Sequence, residues 1–142
     1  MGMKYFLVVV SLFVLILAFS AFAGDHWNES IKILRKPCED FVLKHSDKTH
    51  IKKWTDKLKE RIEQRIADNG GTFDQHLQSI ALDWAADNAN KIKDRDKDAM
   101  IEACLFFLMF HAHGTPPPKA MRERLTPDTA KELVYLLEEF EE

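Results

Sequence analysis

Six large apolar side chains in succession, Leu105, Phe106, Phe107, Leu108, Met109 and Phe110, constrain this chain more than any other feature. On a helix such a run points in every direction around the axis, and a helix that is apolar all round is normally buried all round. The segment at about residues 98–113 is stopped by Gly114 and by Pro116, Pro117 and Pro118. Its apolar part, roughly 14 residues, is too short to span a bilayer. It therefore predicts a helix at the middle of a bundle, covered by the rest of the chain.

The neighbouring segments supply that cover. Trp27, Ile31, Leu34, Cys38, Phe41, Val42 and His45 recur at helical spacing, in unchanged phase across Pro37. This predicts a kinked helix, or two short helices, sharing one buried face. Ile51, Trp54, Leu58, Ile62 and Ile66 mark a second helix, ended by Asn69, Gly70 and Gly71. Thr72 with Gln75 forms a capping-box signature before Phe73, Leu77, Ile80 and Trp84, whose following turns, through Ile92, read as weakly apolar and exposed. Residues 119–125 suit a short helix. Thr126, Pro127 and Asp128 read as cap, first-turn proline and dipole-matched acid ahead of Ala130, Leu133, Val134, Leu137 and Phe140. No alternating β-branched run asks for a strand. The predicted fold is all-α, a bundle of four to six helices around the central apolar helix.

Residues 1–23 have the order of a secretory signal peptide: Lys4, an apolar core, then Ala21, Phe22 and Ala23. Cleavage after Ala23 is expected, leaving residues 24–142 as a single exported helical domain. The competing reading is an uncleaved anchor, because the apolar stretch approaches bilayer length. Two cysteines, Cys38 and Cys104, fall in the exported part, and in an oxidising compartment an even count favours pairing. A disulfide between them would close a loop of about 66 residues and contribute on the order of 4 kcal/mol in the chain-entropy model. Buried free thiols or an intermolecular bridge are the alternatives. Asn28, Glu29 and Ser30 form an N-glycosylation acceptor, which makes Asn28 a candidate glycan site.

Catalytic and cofactor signatures are missing. There is no nucleophile elbow and no phosphate-cradling glycine loop, and neither cysteine has a neighbouring His or basic cluster in sequence to lower its pKa. His111 and His113 stand two apart, so on a helix they point roughly 200° away from each other and do not chelate together. No metal, cofactor or enzymatic activity is expected. A formal net charge of −3 gives no nucleic-acid footprint.

Two surface constellations remain. Lys53, Lys57, Arg61 and Arg65 recur every four residues on the second helix, where like charges repel and call for a compensating partner. That partner is either internal, from Asp56, Glu60, Glu63 or the acidic C-terminus, or an external anion such as a glycan or a phospholipid headgroup. Trp54, Trp84, Phe106, Phe107, Met109 and Phe110 are foremost core residues, and the alternative is that they line a cavity for an apolar ligand. These features predict a secreted, non-enzymatic protein that acts through its surface on an extracellular protein or glycan. The alternative is a carrier that encloses a fatty acid or similar hydrophobic ligand. An uncovered part of the apolar run would act instead as a homodimer seam.

Overall fold

The computed structural model describes residues 26–140, so the predicted signal peptide and its cleavage point lie outside the described residues. Every element within them is helical: α1 (Trp27–His45), α2 (Lys48–Asn69), α3 (Phe73–Asp87), α4 (Ala89–Lys93), α5 (Lys97–His113), α6 (Lys119–Arg124) and α7 (Pro127–Phe140). Seven helices among the described residues exceed the expected four to six because two are very short. The α4 segment corrects the sequence reading directly. The chain breaks at Asn88 and re-forms one turn that carries Ile92 to 1% exposure, where solvent was expected.

The ends follow local chemistry. Gly70, at φ 74°, stops α2 while its N–H donates to the Ile66 carbonyl at 2.8 Å. Both halves of the capping box form: Gln75 N–H donates to Thr72 Oγ1 at 3.2 Å, and Thr72 N–H to Gln75 Oε1 at 3.1 Å. Asp47 and Asp96 cap α2 and α5, accepting from His50 N–H at 2.7 Å and Ala99 N–H at 2.9 Å. Gly114 closes α5 in the left-handed region, at φ 62°, which costs a glycine nothing. Thr126 Oγ1 accepts from Thr129 N–H at 3.2 Å and caps α7. Pro37 lies inside one continuous helix, α1; having no N–H, it only removes the donor that the Ile33 carbonyl would otherwise meet.

Helix α5 occupies the interior. Ala99, Met100, Ile101, Ala103, Cys104, Leu105, Phe106, Phe107, Met109 and Phe110 are all buried, and Leu108 is half-buried. Along it runs α1, which buries Ile31, Leu34, Cys38, Phe41 and Val42, and α7 packs in turn on α1. The α2–α3 hairpin covers another side with Leu58, Ile62, Leu77, Ile80, Ala81 and Ala85, all part of one continuous core. The run from Leu105 to Phe110 is thus largely covered by its own chain rather than presented as a seam. No helix among the described residues is long and apolar enough to cross a membrane.

Two buried polar groups pin the connections. Ser30 is fully buried, and its Oγ lies 2.5 Å from the Leu125 carbonyl oxygen, tying the first turn of α1 to the end of α6. Thr115 is also fully buried; it donates to Asp74 Oδ1 at 2.6 Å, while Gln78 donates to the Pro116 carbonyl at 2.8 Å. The proline segment after α5 is thereby fastened to α3.

Candidate functional site

Three helices each present one face to a common opening. On α2, Trp54, Lys57, Leu58 and Arg61 stand at i, i+3, i+4 and i+7 and so share a side. Ile80 and Trp84 are one turn apart on α3, and Glu102 and Phe106 one turn apart on α5. Together they line a half-open cleft of about 290 Å³. Phe106 is its floor. The Trp54 ring meets it nearly at right angles, 85° at 5.1 Å between centroids, and the Trp84 ring is inclined to it by 50° at 5.3 Å. Such edge-to-face and tilted contacts match the quadrupoles of the rings and hold them in place.

Trp84 is fixed a second time, because its indole Nε1–H donates to Glu102 Oε2 at 2.5 Å. Glu102 is a charged residue among the apolar side chains of α5, one turn after Asp98, and its role was not legible in the sequence. Its place between Ile101 and Ala103 signalled only that a carboxylate in the middle of a buried helix needs an opening and a donor.

The four predicted cations divide. Lys57 and Arg61 line the cleft, Arg65 donates to Ser79 Oγ at 3.5 Å, and Lys53 is exposed on the same helix. Lys52 takes the nearest acid, Asp56, at 2.6 Å. Among the described residues neither Lys57 nor Arg61 forms an ion pair. Among the described residues Lys57 and Arg61 therefore stand beside the aromatic rings without an ion pair, and Glu102 is the one carboxylate that shares their cleft.

The six predicted ligand-lining residues also divide. Trp54, Trp84 and Phe106 come together in this cleft. Phe107 faces a void of only about 20 Å³ shared with Leu34, Cys38, Met100, Ala103, Cys104, Leu133 and Leu137, while Met109 and Phe110 are core residues at 5% and 0% exposure. That void is of the order of one water rather than a ligand.

Cys38 and Cys104 are both buried beside this void, near one another. They are free thiols here, not a disulfide, so the predicted staple is a proximity and not a bond in this structure. Burial, and next the neighbouring Cys38 thiol, pushes the Cys104 pKa well above the ordinary thiol value.

Asn28 is exposed on the first turn of α1. His111 and His113 are exposed at the end of α5, with the His113 ring 4.7 Å from that of Phe73. Among the described residues no group of three or more His, Cys, Asp or Glu side chains is placed to hold a metal. A second, more polar cleft of about 370 Å³ adjoins Glu102 and is lined by His45, Asp47, His50 and Asp98 among others. No family model, no curated protein and no solved structure matches this chain.

Proposed function

We propose that this protein is a secreted, non-enzymatic binding protein that engages another extracellular molecule through the cleft between α2, α3 and α5. The observation that carries this reading is the pair Lys57 and Arg61, two cations without a carboxylate partner among the described residues, set beside Phe106 and the two tryptophan rings inclined to it. Aromatic side chains and arginine are the residues most enriched where binding energy concentrates. A cation that lacks an internal partner retains its full field for an incoming anion. Salt sensitivity follows, because exposed charges are screened over about 8 Å at physiological ionic strength.

Charge reversal tests it. Retention of the folded protein on an immobilised sulfated glycan and on phospholipid vesicles should fall for K57E/R61E and should fall for wild type as salt is raised. Equal retention of variant and wild type would contradict the cleft as the contact surface.

The carrier reading requires an enclosed apolar space, for which the void beside Phe107 is a starting point that would have to open more than tenfold to reach the ~300 Å³ of a small-ligand pocket. Native mass spectrometry of exported protein separates the two readings. A copurifying fatty acid supports the carrier, and protein recovered without one supports the surface cleft.

We also infer that Cys38 and Cys104 become a disulfide during export. Thiol–disulfide exchange with an oxidised dithiol catalyst would join the two sulfurs and pass two electrons and two protons to that catalyst. Their adjacency in the core supports this, since little movement is needed to bring the sulfurs together. Intact-mass measurement before and after reduction tests it: exported protein should be two hydrogens lighter than its reduced form, and an unchanged mass contradicts the bond.

A further inference from the structure

We propose that the cleft selects a zwitterionic headgroup of the phosphocholine type, with a quaternary ammonium held against Trp54, Trp84, Phe106 and Glu102 and a phosphate held by Lys57 and Arg61. The assignment rests on reading this cleft as the binding site, and it deepens that reading by naming the chemistry.

Three observations support the assignment, the first two by selecting a zwitterion over a simple anion. First, the cleft carries both signs of charge on separate helices: Lys57 and Arg61 come from α2 and Glu102 from α5. They do not neutralise one another, for among the described residues neither cation pairs with Glu102. A pure anion would meet the Glu102 charge unfavourably, whereas a ligand with a charge of each sign satisfies both walls.

Second, the aromatic rings form a corner rather than a flat stack. With Phe106 inclined at 85° to Trp54 and at 50° to Trp84, the ring planes around the opening lie in more than one orientation. The negative faces of such rings attract a compact organic cation from several sides, and tryptophan does so best. Glu102 uses Oε2 for the Trp84 indole, which leaves its other oxygen and its full charge for the cation. A quaternary ammonium needs no hydrogen-bond acceptors, so an aromatic corner with one nearby carboxylate suits it better than a primary amine.

Third, the size fits a headgroup and not a lipid. At about 290 Å³ and open to solvent, the cleft lies at the small end of ligand sites and cannot enclose acyl chains. Those would remain in a bilayer or be absent altogether.

Titration calorimetry and tryptophan emission with phosphocholine, choline and inorganic phosphate test the assignment. Phosphocholine should bind roughly tenfold or more tightly than either half alone. E102Q, which keeps an acceptor for the Trp84 indole, should weaken choline and phosphocholine binding and leave phosphate unchanged; K57S/R61S should weaken phosphate and phosphocholine and spare choline. Phosphatidylcholine vesicles that compete with phosphocholine identify a membrane source. Vesicles that do not compete identify free or glycan-linked phosphocholine. If phosphocholine binds no better than phosphate while a sulfated oligosaccharide perturbs Trp54 and Trp84, the zwitterion assignment is overturned and the cleft remains a binding site. If no probe perturbs either tryptophan, the assignment and the reading beneath it both fall.

Discussion

Ser30 makes the most searching single test of the fold, because one hydroxyl stands at two levels of the argument. In the sequence it completes the glycosylation acceptor that begins at Asn28; in the structure it is fully buried and donates to the Leu125 carbonyl 95 positions away. Its single proton serves one acceptor at a time, and the 2.5 Å contact to Leu125 is shorter than the 3.0 Å contact to the His26 carbonyl of its own helix. Ser30→Ala leaves the Leu125 carbonyl buried without that donor, a loss of roughly 1–3 kcal/mol. For a domain of about 115 residues, an unfolding entropy near 2.1 cal/mol/K per residue converts each 1 kcal/mol to about 4 °C. Thermal denaturation of unglycosylated protein should therefore show Ser30→Ala melting about 8 °C below wild type, taking about 2 kcal/mol as the central value. Asn28→Gln removes the glycan acceptor, spares the hydroxyl, and should melt with wild type. A Ser30→Ala protein that melts within about 1 °C of wild type would refute a structural hydrogen bond there.

Other outcomes follow from particular contacts. Phe110→Ala empties a fully buried ring site in α5 and should destabilise by about 3–5 kcal/mol in urea titration, whereas a cost under about 1 kcal/mol would mean that the helix is not interior. Asp47→Ala removes the acceptor for His50 N–H and should cost about 1 kcal/mol, with fraying of the first turn of α2 seen by hydrogen exchange. The fully reduced protein should lose stability as pH rises past the ordinary thiol value of 9.0: the folded pKa of Cys104 is raised, so its contribution is complete below the unfolded value and is lost progressively as pH climbs from there toward the raised folded value. Urea midpoints of reduced protein at pH 7 and pH 10 check the sign, and a disulfide-bonded form should lack this component.

Much of the bundle was legible because its signals are local. Helical spacing located the buried faces of α1, α2, α3 and α7, and the Thr72–Gln75 box and the glycines at 70 and 114 marked ends through backbone chemistry alone. The apolar run of α5 announced its own burial. Ile92 was misread because its burial depends on where a one-turn helix docks, which periodicity over five residues cannot show. Leu136 escaped notice beside Leu133 and Leu137, although it is buried at 1%. The cleft was legible only in fragments. The cation stripe and the tryptophans were visible on their own helices, but their meeting over Phe106 depends on how α2, α3 and α5 pack, and Glu102 gains its meaning only from the Trp84 indole that approaches it. Ser30 and Thr115 were hidden for the same reason, each needing a partner distant in sequence.

The three tryptophans report on the binding surface without any mutation, since Trp54 and Trp84 line the cleft and Trp27 packs against the core on α1. Indole N–H signals of nitrogen-15-labelled protein, followed during titration with phosphocholine, a sulfated oligosaccharide and a medium-chain fatty acid, read the cleft directly. The account predicts that the Trp54 and Trp84 signals move together with a charged probe while Trp27 stays fixed. Binding that shifts Trp27, or that leaves both cleft indoles unmoved, would contradict it.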